Sequence, residues 1–163
     1  MVPWAKRVDL AVNIALLCAF VILTALAAER FWRSDDSQHP AAGTRISLPG
    51  ADWSKSNENL VLALSTTCHF CSESAEFYRR LVPTAESHGA SVFAVLPQSL
   101  AASQRYLKAL GVSVPQILQS PLESIDVAGT PTLLVVDARG KIRKAWIGKL
   151  SGEREREIME TFH

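Results

Sequence analysis

Residues 60–82 read LVLALSTTCHFCSESAEFYRRLV. The first five, Leu60–Leu64, form an unbroken apolar run with the length of a strand buried on both faces. From Ser72 to Val82 the period changes. Ala75, Tyr78 and Leu81-Val82 recur at helical spacing, with Pro83 as the end or a kink. Between the two lies Cys68-His69-Phe70-Cys71, opening the helix, with Thr66 and Thr67 supplying the capping type of residue just ahead of it. A thiol in that first turn sits among unpaired backbone N–H groups at the positive end of the helix, which favours thiolate over thiol. The thiolate is the attacking species in thiol–disulfide exchange. The spacing returns Cys71 to the same face, where it can attack a mixed disulfide on Cys68. The sequence therefore predicts Cys68 as nucleophile and Cys71 as resolving thiol. His69, if protonated or donating a hydrogen bond, tunes the thiolate and makes the disulfide more oxidising. The alternative is an exposed histidine with no tuning role. Phe70, on a turn between the cysteines, is expected to be an apolar contact surface for substrate.

Other uses of two cysteines fit less well. A zinc site needs about four ligands. The chain offers this pair and scattered His39, His69, His88 and His163, with no second C-x-x-C and no H-x3-H, so no metal is expected. A purely structural bridge across two residues would add little stability by chain closure. The dithiol is sufficient for the chemistry, and no cofactor is called for.

Downstream, strand and helix patterns alternate. Ser91–Leu96 (SVFAVL) is a buried strand, and Ser99–Leu110 is a helix stopped by Gly111. Gln116–Gln119 is a short strand. Thr132–Asp137 (TLLVVD), a turn at residues 138–140 and Lys141–Ile147 form a hairpin. Ser151 caps a last helix whose apolar stripe is Ile158 and Phe162. This order predicts an α/β domain with a mixed sheet and helices on both faces, the hairpin adding an antiparallel edge.

The chain has 163 residues, with 17 Lys+Arg against 16 Asp+Glu and 48% hydrophobic residues. Disorder is excluded at that hydrophobic content, and a net charge of +1 gives no electrostatic grip on nucleic acid. A mean hydropathy of +0.11 beside 20% charged residues points to apolar residues concentrated in one place. That place is Leu10–Ala28, where only Asn13 and Thr24 are polar. As a helix, 19 residues span about 28 Å, close to the hydrocarbon thickness of a bilayer. Lys6 and Arg7 precede the run, and Trp4 and Phe31-Trp32 flank it at interfacial positions. A cytoplasmic basic tip sends the rest of the chain outside. Ala25-Leu26-Ala27 also fits a cleaved signal peptide, so both readings stand. Cys18, mid-run behind Leu17, reads as a small apolar residue facing lipid or another helix.

The expected organisation is thus residues 1–32 as tip and transmembrane anchor or signal peptide, 33–43 as linker, and 44–163 as the domain. Apart from Lys6, Arg7 and Asp9 the chain carries 15 basic and 15 acidic residues, so the external part is neutral. The expected location is a single-pass membrane protein with an extracytoplasmic domain, periplasmic in a Gram-negative cell.

A strand, a C-x-x-C at a helix start, and Gly129-Thr130-Pro131-Thr132 leading into a strand–turn–strand resemble the thioredoxin superfamily. With the apolar N-terminus they resemble its membrane-anchored TlpA/ResA-type branch, which includes the cytochrome c maturation thioredoxins. The resemblance covers about residues 44–163 and is closest over VAGTPTLLVVDARGKIRKAWIGKLS (127–151). It implies a three-layer α/β/α sandwich and a cis Pro131 against the dithiol, with the Thr130 backbone free to pair with an extended substrate segment. It implies extracytoplasmic protein thiols and disulfides as partners, reduction as the direction, and an unidentified upstream redox donor. Trp146 and Gly148 are expected to shape the core and the neighbouring loop.

The chain departs from the pattern at three points. Thr67 replaces the usual Trp before the first Cys, Leu62 stands where thioredoxin has its buried acid, and Ser74 stands where some relatives carry Glu. Glu73 and Glu76 are expected to face away as solvated acids, which leaves the proton acceptor for Cys71 unassigned. Competing functions are a thiol peroxidase, a dithiol oxidase and a metal-delivery module of the same fold. A peroxidase of this fold normally has Thr or Ser three residues before its reactive Cys and Pro seven before. Ser65 fits the first and Val61 fails the second. Metal-delivery modules use C-x3-C, not the spacing found here.

Overall fold

The alternation read from the sequence folds around a five-stranded sheet of order β3-β2-β1-β4-β5 in the computed structural model, which describes residues 16–24 and 42–162. Its strands are β1 (Glu58–Ala63), β2 (Ser91–Leu96), β3 (Gln116–Gln119), β4 (Thr132–Asp137) and β5 (Ile142–Ile147). Its helices are α1 (His69–Glu73), α2 (Ala75–Ser87), α3 (Leu100–Ala109) and α4 (Gly152–Thr161). Strands β1, β2 and β3 pair in parallel, whereas β4 lies antiparallel to both β1 and β5. The mixed sheet is the expected one. Central β1 is buried from Asn59 onward, and its unbroken apolar run from Leu60 is covered on both faces.

The two faces of the sheet carry separate cores. Leu60, Leu62, Leu64, Val92, Ala94 and Leu96 face one side, where they meet Tyr78 and Leu81 of α2, Leu107 of α3 and Ile158 of α4. Val61, Ala63, Phe93, Val95, Leu134 and Val136 face the other. Helices on both faces were expected, but the helical residues of both clusters that come from α-helices all lie on the first. The chain steps β1→β2→β3 in one direction, and right-handed crossovers in one direction place α2 and α3 on the same face. The second face is closed instead by Ile46 and Leu48, by 3-10 turns at Trp53–Lys55 and Leu122–Ile125, and by Val127. The turn at Leu122–Ile125 cannot lengthen into an α-helix. Pro121 precedes it, and Asp126 ends it in the left-handed region at φ 60°.

Pro83 does not end its helix. The helix runs on to Ser87, and the interruption falls at Ser74, between α1 and α2. There both the backbone N–H and the hydroxyl of Ser74 donate to the Phe70 carbonyl, drawing the chain off the α-helical path. Ser151 caps α4 as expected and Ser99 caps α3 as well, each accepting a backbone N–H three residues on. Gly111, at φ 66°, ends α3 in a conformation that costs most other residues energy.

Residues 43–46 run along β5 near the β4–β5 turn. The Gly43 N–H donates to Ile142 O, the Ile142 N–H donates to Thr44 O, and Arg45 bridges Lys141. The chain therefore joins the sheet at the end where β1 begins. Asn59 sits in β1 at that same end, fully buried. Its Nδ2 reaches the carbonyls of Trp53 (3.1 Å), Val136 (3.3 Å) and Ser56 (3.4 Å). Its Oδ1 has no donor among the described residues.

The chain divides into two units, Met1–Gln38 and His39–His163, and the sheet belongs to the second. Of the Leu10–Ala28 run, residues 16–24 are described. They are helical, exposing Leu16, Leu17, Phe20, Val21, Ile22 and Leu23, and Cys18 is a free, exposed thiol. No helix among the described residues is long and apolar enough to cross a membrane. Lys6, Arg7, Trp4, Phe31-Trp32, the Ala25-Leu26-Ala27 pattern and most of the 33–43 linker lie outside the described residues.

Candidate active site

Strand β1 delivers the chain to a turn at Ser65–Thr67, and Gln98, on the loop after β2, holds that turn. Gln98 Nε2 donates to Ser65 Oγ (2.9 Å), and its Oε1 accepts the Thr66 N–H (3.3 Å). Ser65 Oγ also accepts the Thr67 N–H and lies 3.1 Å from Thr67 Oγ1. Because β1 and β2 are adjacent and parallel, their C-terminal loops meet, which makes the clamp possible.

The residue that caps α1 is Cys68 itself, not Thr66 or Thr67. Its backbone is extended, and its Sγ accepts the Cys71 N–H at 3.1 Å. Cys68 and Cys71 are joined as a disulfide, with Cα atoms 5.3 Å apart. Cys71 is fully buried in the helical-face core, whereas Cys68 is partly exposed, so an incoming group meets Cys68.

The Thr130–Pro131 peptide is cis, in line with the resemblance. The Thr130 carbonyl lies 3.3 Å from Cys68 Sγ, bringing together residues 62 apart in sequence. This loop is anchored from two sides. The Gly148 N–H donates to Pro131 O (2.7 Å), and Thr132 Oγ1 donates to Gly129 O (2.7 Å). Trp146, 5% exposed, packs in the core, and Gly148 at φ 79° lets the loop after β5 turn back toward Pro131.

Phe70 is 52% exposed beside the dithiol, and Leu100 at the start of α3 is also exposed. Ser72 Oγ lies 3.2 Å from Tyr106 OH, tying α1 to α3. His69 Nε2 lies 3.0 Å from Glu73 Oε1. Glu73 Oε2 accepts from Lys149 Nζ at 2.8 Å. Glu73 is therefore an engaged acid, not merely a solvated one. The bonded Lys149 ammonium, followed by His69, holds its carboxyl below the usual carboxylate value. Leu62 is fully buried and Ser74 is buried, so neither position where the resemblance would place an acid supplies one. Burial pushes the titration of the Tyr78 phenol well above the ordinary range, leaving a neutral hydroxyl in the core that holds Cys71. Sequence reading missed Gln98 and Lys149, whose partners lie far along the chain, and the ties of Glu73 to Lys149 and to His69. No group of three or more His, Cys, Asp or Glu suited to a metal ion occurs among the described residues.

No protein-family model matches the chain, and no curated protein does. Solved structures do. One is the thioredoxin domain of a thiol-disulfide oxidoreductase from Bacteroides vulgatus, with TM-score 0.56 and 21% identity over 75% of this chain and 97% of that one. Another is a thioredoxin-family thiol:disulfide interchange protein from Chlorobium tepidum, with TM-score 0.55 and 20% identity over 74% and 98%. StoA from Bacillus subtilis gives 0.53 and 16% over 73% and 96%. With the mixed five-stranded sheet and the C-x-x-C beside a cis-proline loop, these likenesses give the chain the thioredoxin fold, in the form found in thiol:disulfide interchange proteins.

Proposed function

We propose that this chain is a thiol–disulfide oxidoreductase working outside the cytoplasm on protein disulfides, reducing its targets and held at the membrane by its N-terminal apolar run. The observation that carries the redox reading is the dithiol itself. One sulfur is partly open and bonded to a backbone N–H, the other is buried one helical turn on, and the Thr130 backbone carbonyl lies against the first. The apolar N-terminus and the family resemblance support the location, and the resemblance supports the direction, with cytochrome c maturation among the processes it fits.

In the reduced protein the Cys68 thiolate attacks one sulfur of a substrate disulfide, forming a mixed disulfide and releasing one substrate thiolate, which takes up a proton. Cys71, once deprotonated, attacks Cys68 Sγ. The Cys68–substrate bond breaks, the second substrate thiol leaves, and the Cys68–Cys71 disulfide remains. Two electrons pass to the substrate, and an upstream dithiol must return them. Thr130 offers backbone groups for an extended segment next to the target sulfur, and the exposed Phe70 ring gives it apolar contact.

The test is a pair of substitutions. Cys71→Ser should accumulate mixed disulfides with extracytoplasmic proteins, and Cys68→Ser should abolish exchange. Trapping by Cys68→Ser with none by Cys71→Ser would reverse the roles. An active double variant would remove the dithiol from the mechanism.

A further inference from the structure

Glu73 closes a ring of contacts around the dithiol. One carboxylate oxygen takes His69 Nε2 at 3.0 Å and the other takes Lys149 Nζ at 2.8 Å. Lys149 follows Gly148, whose N–H holds the Pro131 carbonyl. The neighbouring Thr130 carbonyl faces Cys68 Sγ, and Cys68 precedes His69. The carboxylate thus ties the active-site helix to the loop that braces the cis-proline segment.

The direction of the His69 bond matters most. His69 is the first residue of α1 and Glu73 the last, so the bond runs along the helix toward its C-terminus. Cys68 Sγ lies at the opposite end, accepting the Cys71 N–H. No hydrogen bond joins His69 to Cys68 among the described residues. A histidine beside a nucleophilic cysteine stabilises the thiolate only if its charge or its N–H reaches the sulfur. Stabilising the thiolate stabilises the reduced form and makes the pair a stronger oxidant. Here Glu73 draws the imidazole the other way and adds an anion on the same short helix. Both effects disfavour the thiolate, and both make the dithiol more reducing. Glu73 carries its charge across the neutral range as an ordinary carboxylate does, and the Lys149 ammonium holds its carboxyl lower still.

We propose that Glu73 is a positioning residue that holds His69 off the Cys68 sulfur and thereby keeps this dithiol a reductant. The inference rests on the oxidoreductase reading and adds the device that sets its direction. It explains how a Cys-His-Phe-Cys sequence, with a histidine next to the nucleophile, serves reduction.

The test is the thiol–disulfide equilibrium of the full chain with glutathione, measured for wild type, Glu73→Ala, His69→Asn and the double variant. Glu73→Ala should move the equilibrium at least threefold toward oxidant, about 14 mV at 29.6 mV per tenfold. In the His69→Asn background the same substitution should move it by less than half as much, on a logarithmic scale. An unchanged or more reducing Glu73→Ala overturns the proposal. So does a shift that survives in full without His69, because the carboxylate would then act by charge alone. Glu73→Gln serves as a second variant that keeps the side-chain shape, and it should shift the equilibrium in the same direction. A wild-type protein that exchanges no disulfide with glutathione would remove the oxidoreductase reading itself, and this proposal with it. A wild type that exchanges normally beside an unshifted Glu73→Ala removes only the role given to Glu73.

Discussion

The sharpest expectation concerns Cys68 in the reduced protein. Combining Cys71→Ala with Cys18→Ala leaves Cys68 as the sole thiol and keeps the backbone N–H at position 71. Two contacts then decide how easily Cys68 ionises. The N–H at 3.1 Å favours the thiolate, and the Thr130 carbonyl at 3.3 Å opposes it. A hydrogen bond to a charged group is worth about 1.5–3 kcal/mol net, or about 10- to 150-fold in the thiolate-to-thiol ratio. The facing carbonyl places Cys68 at the lower end, about tenfold. An ordinary cysteine is about 3% ionised at pH 7, so Cys68 should be about one-quarter ionised there. The alkylation rate gains less, about threefold, because intrinsic nucleophilicity falls as thiolate stability rises. The informative readout is therefore the midpoint of the pH profile of iodoacetamide alkylation. It should lie about one unit below that of the same variant unfolded in urea. A folded midpoint equal to or above the unfolded one would show that the carbonyl and partial burial outweigh the N–H, and would refute the placement of Cys68 as the activated sulfur.

Two further outcomes are expected. Asn59→Ala removes the donor shared by three carbonyls at the start of β1 and should cost about 2 kcal/mol in urea unfolding, or about 6–8 °C in thermal midpoint. Asn59→Asp, which aims a carboxylate at the same three oxygens, should cost more, and equal stability of the two variants would discount the network. For the anchor, membranes washed at alkaline pH should retain the full chain, whereas a soluble product beginning near Ala28 would mean a cleaved signal peptide.

How much of this was legible in the sequence depends on the range of the force involved. β2, β3 and β4 lie where their apolar runs and turn residues place them, because strand patterning and hairpin chemistry are local. The C-x-x-C is local as well, and so is the serine cap of α4. The Ser74 break was hidden because two bonds to one carbonyl outweigh a helical pattern that continues through it. The crowding of α2 and α3 on one face follows from strand order, and residue periodicity says nothing about that order. Gln98 reaches its partners across more than 30 residues, Asn59 reaches Val136 across 77, and Lys149 reaches Glu73 across 76. Each of these three carries a polar side chain that reads as ordinary solvated surface until the fold supplies its partner.

The pairing of residues 43–46 beside the β4–β5 turn has a mechanical consequence. The chain enters the sheet at the end where β1 begins, and the cysteines lie beyond the end where β1 stops. A six-residue strand spans about 20 Å, so entry and chemistry stand at opposite poles of the domain. A pull transmitted from the N-terminal side loads the Gly43 and Thr44 bonds to Ile142 first and leaves the Ser65–Thr67 turn slack. Tension applied at residues 43–46 is therefore borne at one pole while the sulfur at the far pole keeps its geometry.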